Sequence, residues 1–164
     1  MAHVDRTALA ATTLVSKWML DVNTGTYGIP TWTAVNGIME LKPGKETTLQ
    51  DDSDFDGAGW KSQVATALAW SLELKLKRAP TVASATAYDA GQEALRTASD
   101  ALGTANRKDV RWYEVTASGP VKEAYRGYCT VSWNPDGGGM DAADTVSVTL
   151  TGQGARSTDT HPGA

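Results

Sequence analysis

Asp51-Asp52-Ser53-Asp54-Phe55-Asp56-Gly57 packs four carboxylates and a glycine into seven residues. Such a set can hold a hard cation, because calcium takes oxygen ligands from closely spaced aspartates. With Asp52 as position 1 of an EF-hand loop, Asp54 and Asp56 take positions 3 and 5, and Gly57 takes the sharp turn at position 6. Position 12 should be a glutamate that grips the ion with both oxygens. It is Gln63, whose amide has one uncharged oxygen. The flanks also fail, since an EF-hand loop joins two helices. Here the turn-forming Lys42-Pro43-Gly44-Lys45 precedes the loop and a strand pattern follows it. The aspartates are also too crowded into one polar turn to work as a separated acid–base pair.

Other catalytic chemistry lacks its parts. The only histidines, His3 and His161, lie at the two ends, so a serine or cysteine nucleophile in the body of the fold has no histidine base. Cys129 is the only cysteine, which excludes an internal disulfide and a Cys/His zinc site and suits a small apolar filler in a strand. No phosphate-cradling glycine motif is present. The expectation is a protein without enzymatic activity and without a cofactor. A net charge of −4 disfavours binding of nucleic acid through phosphate contacts. No apolar run approaches the roughly 20 residues of a membrane span, and the N-terminus has no charged-then-apolar signal pattern. Synthesis in a cytoplasm without signal-directed export is therefore expected.

The elements that would position the acidic stretch are mostly strands. A length of 164 residues suggests one domain. Residues 1–13 read as an arm, 14–151 as a β domain, and 152–164 as a second arm. Within the domain, 14–22 and 31–40 read as strands, the second interrupted at Asn36-Gly37, and 41–60 as a long polar connection. From Val64 to Leu76 the even positions carry Val, Thr, Leu, Trp, Leu, Leu and Leu, while the odd positions are small or charged. This period of two predicts a strand with one face on the core. At about 3.3 Å per residue it spans roughly 45 Å, more than the ~40 Å diameter of a compact domain of this size. It must bend or protrude, and a protruding strand exposes unpaired backbone groups that want a neighbouring chain.

Residues 86–103 predict the one helix, with Thr86 and Asp89 as a capping box and Gly103 as the stop. Its apolar face of Tyr88, Gly91, Leu95, Ala98 and Leu102 is small enough to sit close against a sheet. Strands over 110–117, 124–133 and 144–151 complete a mainly β, α+β architecture: a sandwich or barrel with a helix on one side. Trp70 points with the leucines into the core. Trp18, Trp112 and Trp133 are expected half-buried, and Trp60 is the aromatic expected at an interface.

The order of these pieces resembles the tail tube (major tail) proteins of long, non-contractile-tailed bacteriophages. The acidic DSDFDGAGWKS runs into the alternating VATALAWSLELKLKR. The helix YDAGQEALRTASDALG follows, then VRWYEV, YRGYCTVSW and a terminal DTVSVTLTGQGA. The resemblance runs from about Trp18 to Ala155. It implies hexameric rings with a continuous inner β-barrel, stacked into a tube through which genome DNA passes into the host. It also implies tape measure and tail terminator or tip proteins as partners, and a place in the virion after assembly in the host cytoplasm. Residues 1–13, 41–60 and 152–164 would reach the neighbouring ring. Asp51, Asp52, Asp54, Asp56 and Trp60 would then form a ring-to-ring or channel-facing element. Six copies at −4 give a ring of about −24, and an acidic or neutral lining repels phosphates. The small odd positions Ala65, Ala67, Ala69 and Ser71 are candidate lining; Lys75 and Lys77 fit there only if acidic neighbours pair with them. The alternatives are a contractile-tail or type VI secretion tube protein of the same fold, and a calcium- or carbohydrate-binding β-sandwich module.

Overall fold

A computed structural model describes residues 18–54, 60–115 and 123–162. Its strands are β1 (Trp18–Asn23), β2 (Trp32–Ala34), β3 (Ile38–Asp51), β4 (Gln63–Lys77), β5 (Arg107–Glu114), β6 (Ala124–Pro135), β7 (Thr145–Gly152) and β8 (Ser157–Thr158). Among the described residues one α-helix, α1 (Ala90–Ser99), followed by a short 3-10 turn (Gly103–Ala105), lies between β4 and β5. The strands form one antiparallel sheet in the order β2-β1-β5-β6-β7-β4-β3, and β8 pairs with β6 off that path. The sheet is open at β2 and β3, where a sandwich or closed barrel was expected.

The largest departure from the sequence reading is β3. Residues 41–51 are not a polar connection; they continue the strand that begins at Ile38 and pair with β4 along its whole length. Pro43-Gly44 reads as a turn in the sequence, yet Pro43 pairs with Leu72 and Gly44 with Ser71. Proline is tolerated because β3 is an edge strand. Gly44 leaves room for the facing Ser71, whose Oγ would lie 2.7 Å from a Cβ at position 44 and would have to rotate away.

The core side of the sheet is as the alternation predicts from position 70 onward. Trp70, Leu72, Leu74 and Leu76 are buried with Val148 and Leu150 of β7, Val131 of β6 and Trp112 of β5. Trp112 is fully buried rather than half-buried, while Trp18 and Trp133 are partly buried against the core. Trp70 stacks on Trp112 with ring centroids 4.8 Å apart. Cys129 is buried in β6, where desolvation pushes its thiol up to about 12.

Helix α1 is shorter than the expected 86–103, and its cap differs. Asp89, not Thr86, is the N-cap, accepting from Gln92 N at 3.0 Å. The same carboxylate accepts from Asn36 N and Nδ2, tying the helix start to the break between β2 and β3. Gly91 lies so close to β2 that a Cβ there would meet Ala34 O at 2.2 Å. Leu95 and Ala98 are buried as expected, whereas Leu102 lies beyond the helix and is exposed. Gln92, polar and unremarked in the pattern, is buried and donates to Asn36 O and Lys77 O.

On the opposite face of β1, β5 and β6, Asp21 pairs with Arg111 at 2.8 Å and Asp109 with Arg126 at 2.6 Å. Both guanidiniums lie over Trp32, and Arg126 also lies over Tyr27, which holds the β1–β2 loop down on the sheet. The C-terminal segment expected as an arm runs along its own β6. Gln153 N donates to Tyr128 O, β8 pairs with Tyr125 and Arg126, and Asp159 N donates to Ala124 O. His161 packs edge-on against Tyr113.

Candidate assembly interface

Strands β3 and β4 form a hairpin of which only part belongs to the domain body. β4 pairs with β7 from Ser71 to Lys77. From Gln63 to Ala69 every residue is exposed, with β3 as the sole strand neighbour among the described residues. These residues and their partners form a two-stranded arm about 20 Å long. The expected protrusion is therefore present, and its cause is legible: β7 leaves β4 after Thr151, and the chain turns to follow β6 instead.

A bulge interrupts the arm. Thr48 pairs with Ala67 but Leu49 pairs with Ala65, so Thr66 has no facing residue. Its hydroxyl donates to Thr48 O instead. A one-residue slip moves side chains to the other face. The even positions are buried only from Trp70 to Leu76, and the bulge at Thr66 ends the shared register beyond Leu68. Leu49, Val64 and Leu68 are all exposed on the arm.

At the arm's tip the structure brings together the predicted residues that it describes. Asp51 ends β3 opposite Gln63. Its carboxylate accepts from Ser53 N at 2.9 Å, and bonding to the Ser53 side chain and backbone holds it below the usual carboxylate range. Asp52 N donates to Ser62 O, and the Ser53 hydroxyl exchanges hydrogen bonds with Ser62 backbone groups. Asp51, Asp52 and Asp54 are exposed, and Trp60 is 84% exposed. Asp56 lies outside the described residues. Among the described residues, no three acidic, histidine or cysteine side chains converge as a metal site would require.

The surface facing away from the core completes the picture. Across β3, β4 and β7 it carries Gly44, Ser71 and Thr151 in one row, Lys42, Glu73 and Thr149 in the next, and Glu40, Lys75 and Ser147 in the third. Lys42 pairs with Glu40 at 2.8 Å, raising the lysine and lowering the glutamate. Lys75 reaches Asp136 at 3.6 Å. Asp136 also accepts from Ser147 Oγ and Thr145 Oγ1, and these bonds are the main reason its carboxyl sits low. The acidic neighbours that Lys75 needed are thus Glu40 across the strand pair and Asp136 at the end of β6, whereas Lys77 makes no ion pair among the described residues. The sequence reading placed Glu40 in a strand but missed the continuation that carries Lys42, because Pro43-Gly44 reads as a turn.

No protein-family model and no curated protein matches the sequence. Solved structures do match the fold. The chain of the SPP1 tail tube superimposes with a TM-score of 0.61 and 13% identity, over 90% of this chain and 80% of that one. A chain from the tail of an empty gene transfer agent particle, refined with C6 symmetry, gives 0.63 and 10%, over 91% and 100%. One from the six-fold symmetrised baseplate of the anti-feeding prophage gives 0.59 and 9%, over 92% and 97%. At these identities the likeness is one of architecture: the chain has the fold of phage tail tube proteins.

Proposed function

We propose that this protein is the structural subunit of a phage tail tube, self-assembling into hexameric rings that stack around a channel for genome DNA. The observation that carries the proposal is the arm. Its β4 edge from Gln63 to Trp70 and the outer edge of β3 have no strand partner among the described residues. Two long unpaired edges on one ribbon are an aggregation hazard in a monomer. In a closed ring they become the joints of a continuous barrel. The six-fold symmetry of two of the matched assemblies supports six copies.

The face away from the core is the channel lining in this reading. It is hydroxyl-rich, and carboxylates hold Lys42 and Lys75. Lysines engaged in this way are poorer phosphate ligands, so DNA slides past rather than sticking. The protein acts without catalysis or a cofactor, in the virion, with tape measure and terminator or tip proteins at the ends of the tube. Negative-stain electron microscopy of the purified protein over a concentration series tests the proposal. Rings or tubes with a central channel are expected. A protein that stays monomeric throughout the series overturns it.

A further inference from the structure

Beside the root of the arm lies a groove of about 350 Å³, floored by Leu68, Ala69 and Trp70 and walled by residues 154–156. Trp70 is fixed in place. Its Nε1 donates to Gly154 O at 2.9 Å, and its ring lies against Gly127 and Gly152. Leu68 is 66% exposed at the groove's outer end. Two cations flank the apolar floor: Lys45, paired with Trp70 across the strands, and Arg156, stacked 4.1 Å over Tyr125. Neither makes an ion pair among the described residues. An apolar slot between two unneutralised cations fits a segment that offers an apolar side chain beside a carboxylate.

The chain has such a segment at the far end of β7. The β6–β7 turn presents Met140, fully exposed, followed by Asp141. The turn is built to hold that residue out. Ala142 N donates to Gly139 O at 3.0 Å, placing Met140 at its corner. Gly137 and Gly138 approach it with positive φ of 68° and 159°. Asp136 pins the base through Thr145 and Ser147. Groove and turn lie at opposite ends of β7, about 25 Å apart at strand rise, so they cannot meet within one copy.

We propose that the β6–β7 turn of one copy seats in this groove of the copy stacked on it, with Met140 against Leu68 and Trp70 and Asp141 between Lys45 and Arg156. The inference rests on the tube reading and names the contact that joins successive rings. A contact between different surfaces at opposite ends of a subunit is heterologous and repeats without limit, as stacking requires. Thioether sulfur against an indole is a favourable pairing.

The test is a double variant of the full chain, Met140→Cys with Ala155→Cys, oxidised after assembly and run under denaturing conditions. Cys129 is buried and should give little background. A ladder of covalent multimers is expected, at least about tenfold stronger than from either single variant, since only the pair spans the joint. In parallel, Lys45→Glu with Arg156→Glu should raise the critical concentration for assembly about tenfold, and Asp141→Lys should restore it. Tubes that form normally but give no Met140 ladder overturn this inference alone. A ladder from Trp60→Cys with Ala155→Cys in its place assigns the groove to the arm tip and also overturns it. If the wild-type chain forms no tubes, the tube reading falls and takes this contact with it.

Discussion

Trp70 should be coupled energetically to Gly152, and the coupling can be calculated before it is measured. A Cβ added at Gly152 would lie 2.4 Å from Trp70 Cε2, 2.5 Å from Nε1 and 2.6 Å from Cδ2. Three overlaps with a rigid ring cannot be relieved by rotating a flexible side chain. The backbone cannot easily yield either, because Gly152 is paired with Cys129 and the ring is stacked on Trp112. Overpacking a close-packed core costs about 1–3 kcal/mol, and this geometry belongs at the upper end, so Gly152→Ala should cost about 3 kcal/mol. The φ of Gly152 is not in the left-handed region, so backbone strain adds nothing. Trp70→Ala alone removes a buried aromatic and its hydrogen bond to Gly154 O, for a loss of about 4 kcal/mol. In the double variant the ring is gone and the new methyl enters the vacated space. Gly152→Ala should then be neutral or slightly stabilising, through reduced freedom of the unfolded chain. The predicted interaction energy is therefore about 3 kcal/mol, well above the few tenths expected of independent sites. Urea denaturation followed by circular dichroism measures all four corners of the cycle. Additivity within about 0.5 kcal/mol would show that the two residues do not meet as described.

Three further outcomes follow from the same structure. Asp109→Asn should cost about 3 kcal/mol in urea denaturation, because it leaves the mostly buried Arg126 without its counter-charge; a loss under 1 kcal/mol would mean that Tyr27 and Trp32 alone hold the guanidinium. Glu40→Gln with Asp136→Asn releases Lys42 and Lys75 on the proposed channel face. Assembled tubes should then retain duplex DNA at low salt and lose it as salt rises, which a filter-binding series reads directly; unchanged retention argues that this face is not the lining. Cys129 should react with thiol reagents only as fast as the chain opens. Its raised pKa also gives a pH effect of defined sign: the thiol is held protonated in the fold, so this contribution is complete below 9.0 and is lost as pH rises from there towards about 12. The slope should be at most about 1.4 kcal/mol per pH unit, read from denaturation midpoints in alkaline buffers.

What the sequence disclosed and what it hid divide along physical lines. The run Trp70 to Leu76 announces its strand because a half-buried strand alternates, and here half-burial is real. The same pattern misleads at Val64. The bulge at Thr66 shifts the register, and no core lies behind the arm to enforce the alternation. The strand read over 31–40, with its break at Asn36-Gly37, gives β2 and the start of β3, but the rest of β3, residues 41–51, was hidden for a related reason. An edge strand with an exposed arm has little burial to pattern its sequence, and Pro43-Gly44 is acceptable there only because nothing pairs beyond it. Asp51, Asp52, Asp54 and Trp60 were found together because they are close in sequence. The Trp70 groove was not found, since its parts come from β3, β4 and residues 154–156, and only the turn of the chain away from β4 unites them.

That turn is the feature on which the functional reading depends. Had β7 continued beside β4 to Gln63, the arm would be an ordinary part of the sheet, with one free edge and a covered face. Instead Gln153 N is given to Tyr128 O and the chain follows β6, which leaves β4 bare from Trp70 outward. The sequence offers no turn strong enough to explain this by itself. Gly154, with φ of 87°, permits the change of direction, and Trp70 rewards it by donating to the Gly154 carbonyl and filling the gap between the diverging strands. One indole thus closes the body's core, creates the bare edge and floors the groove beside it. A monomer gains nothing from the last two. A subunit that must join neighbours sideways through strand edges, and end to end through a slot at the arm's root, needs both.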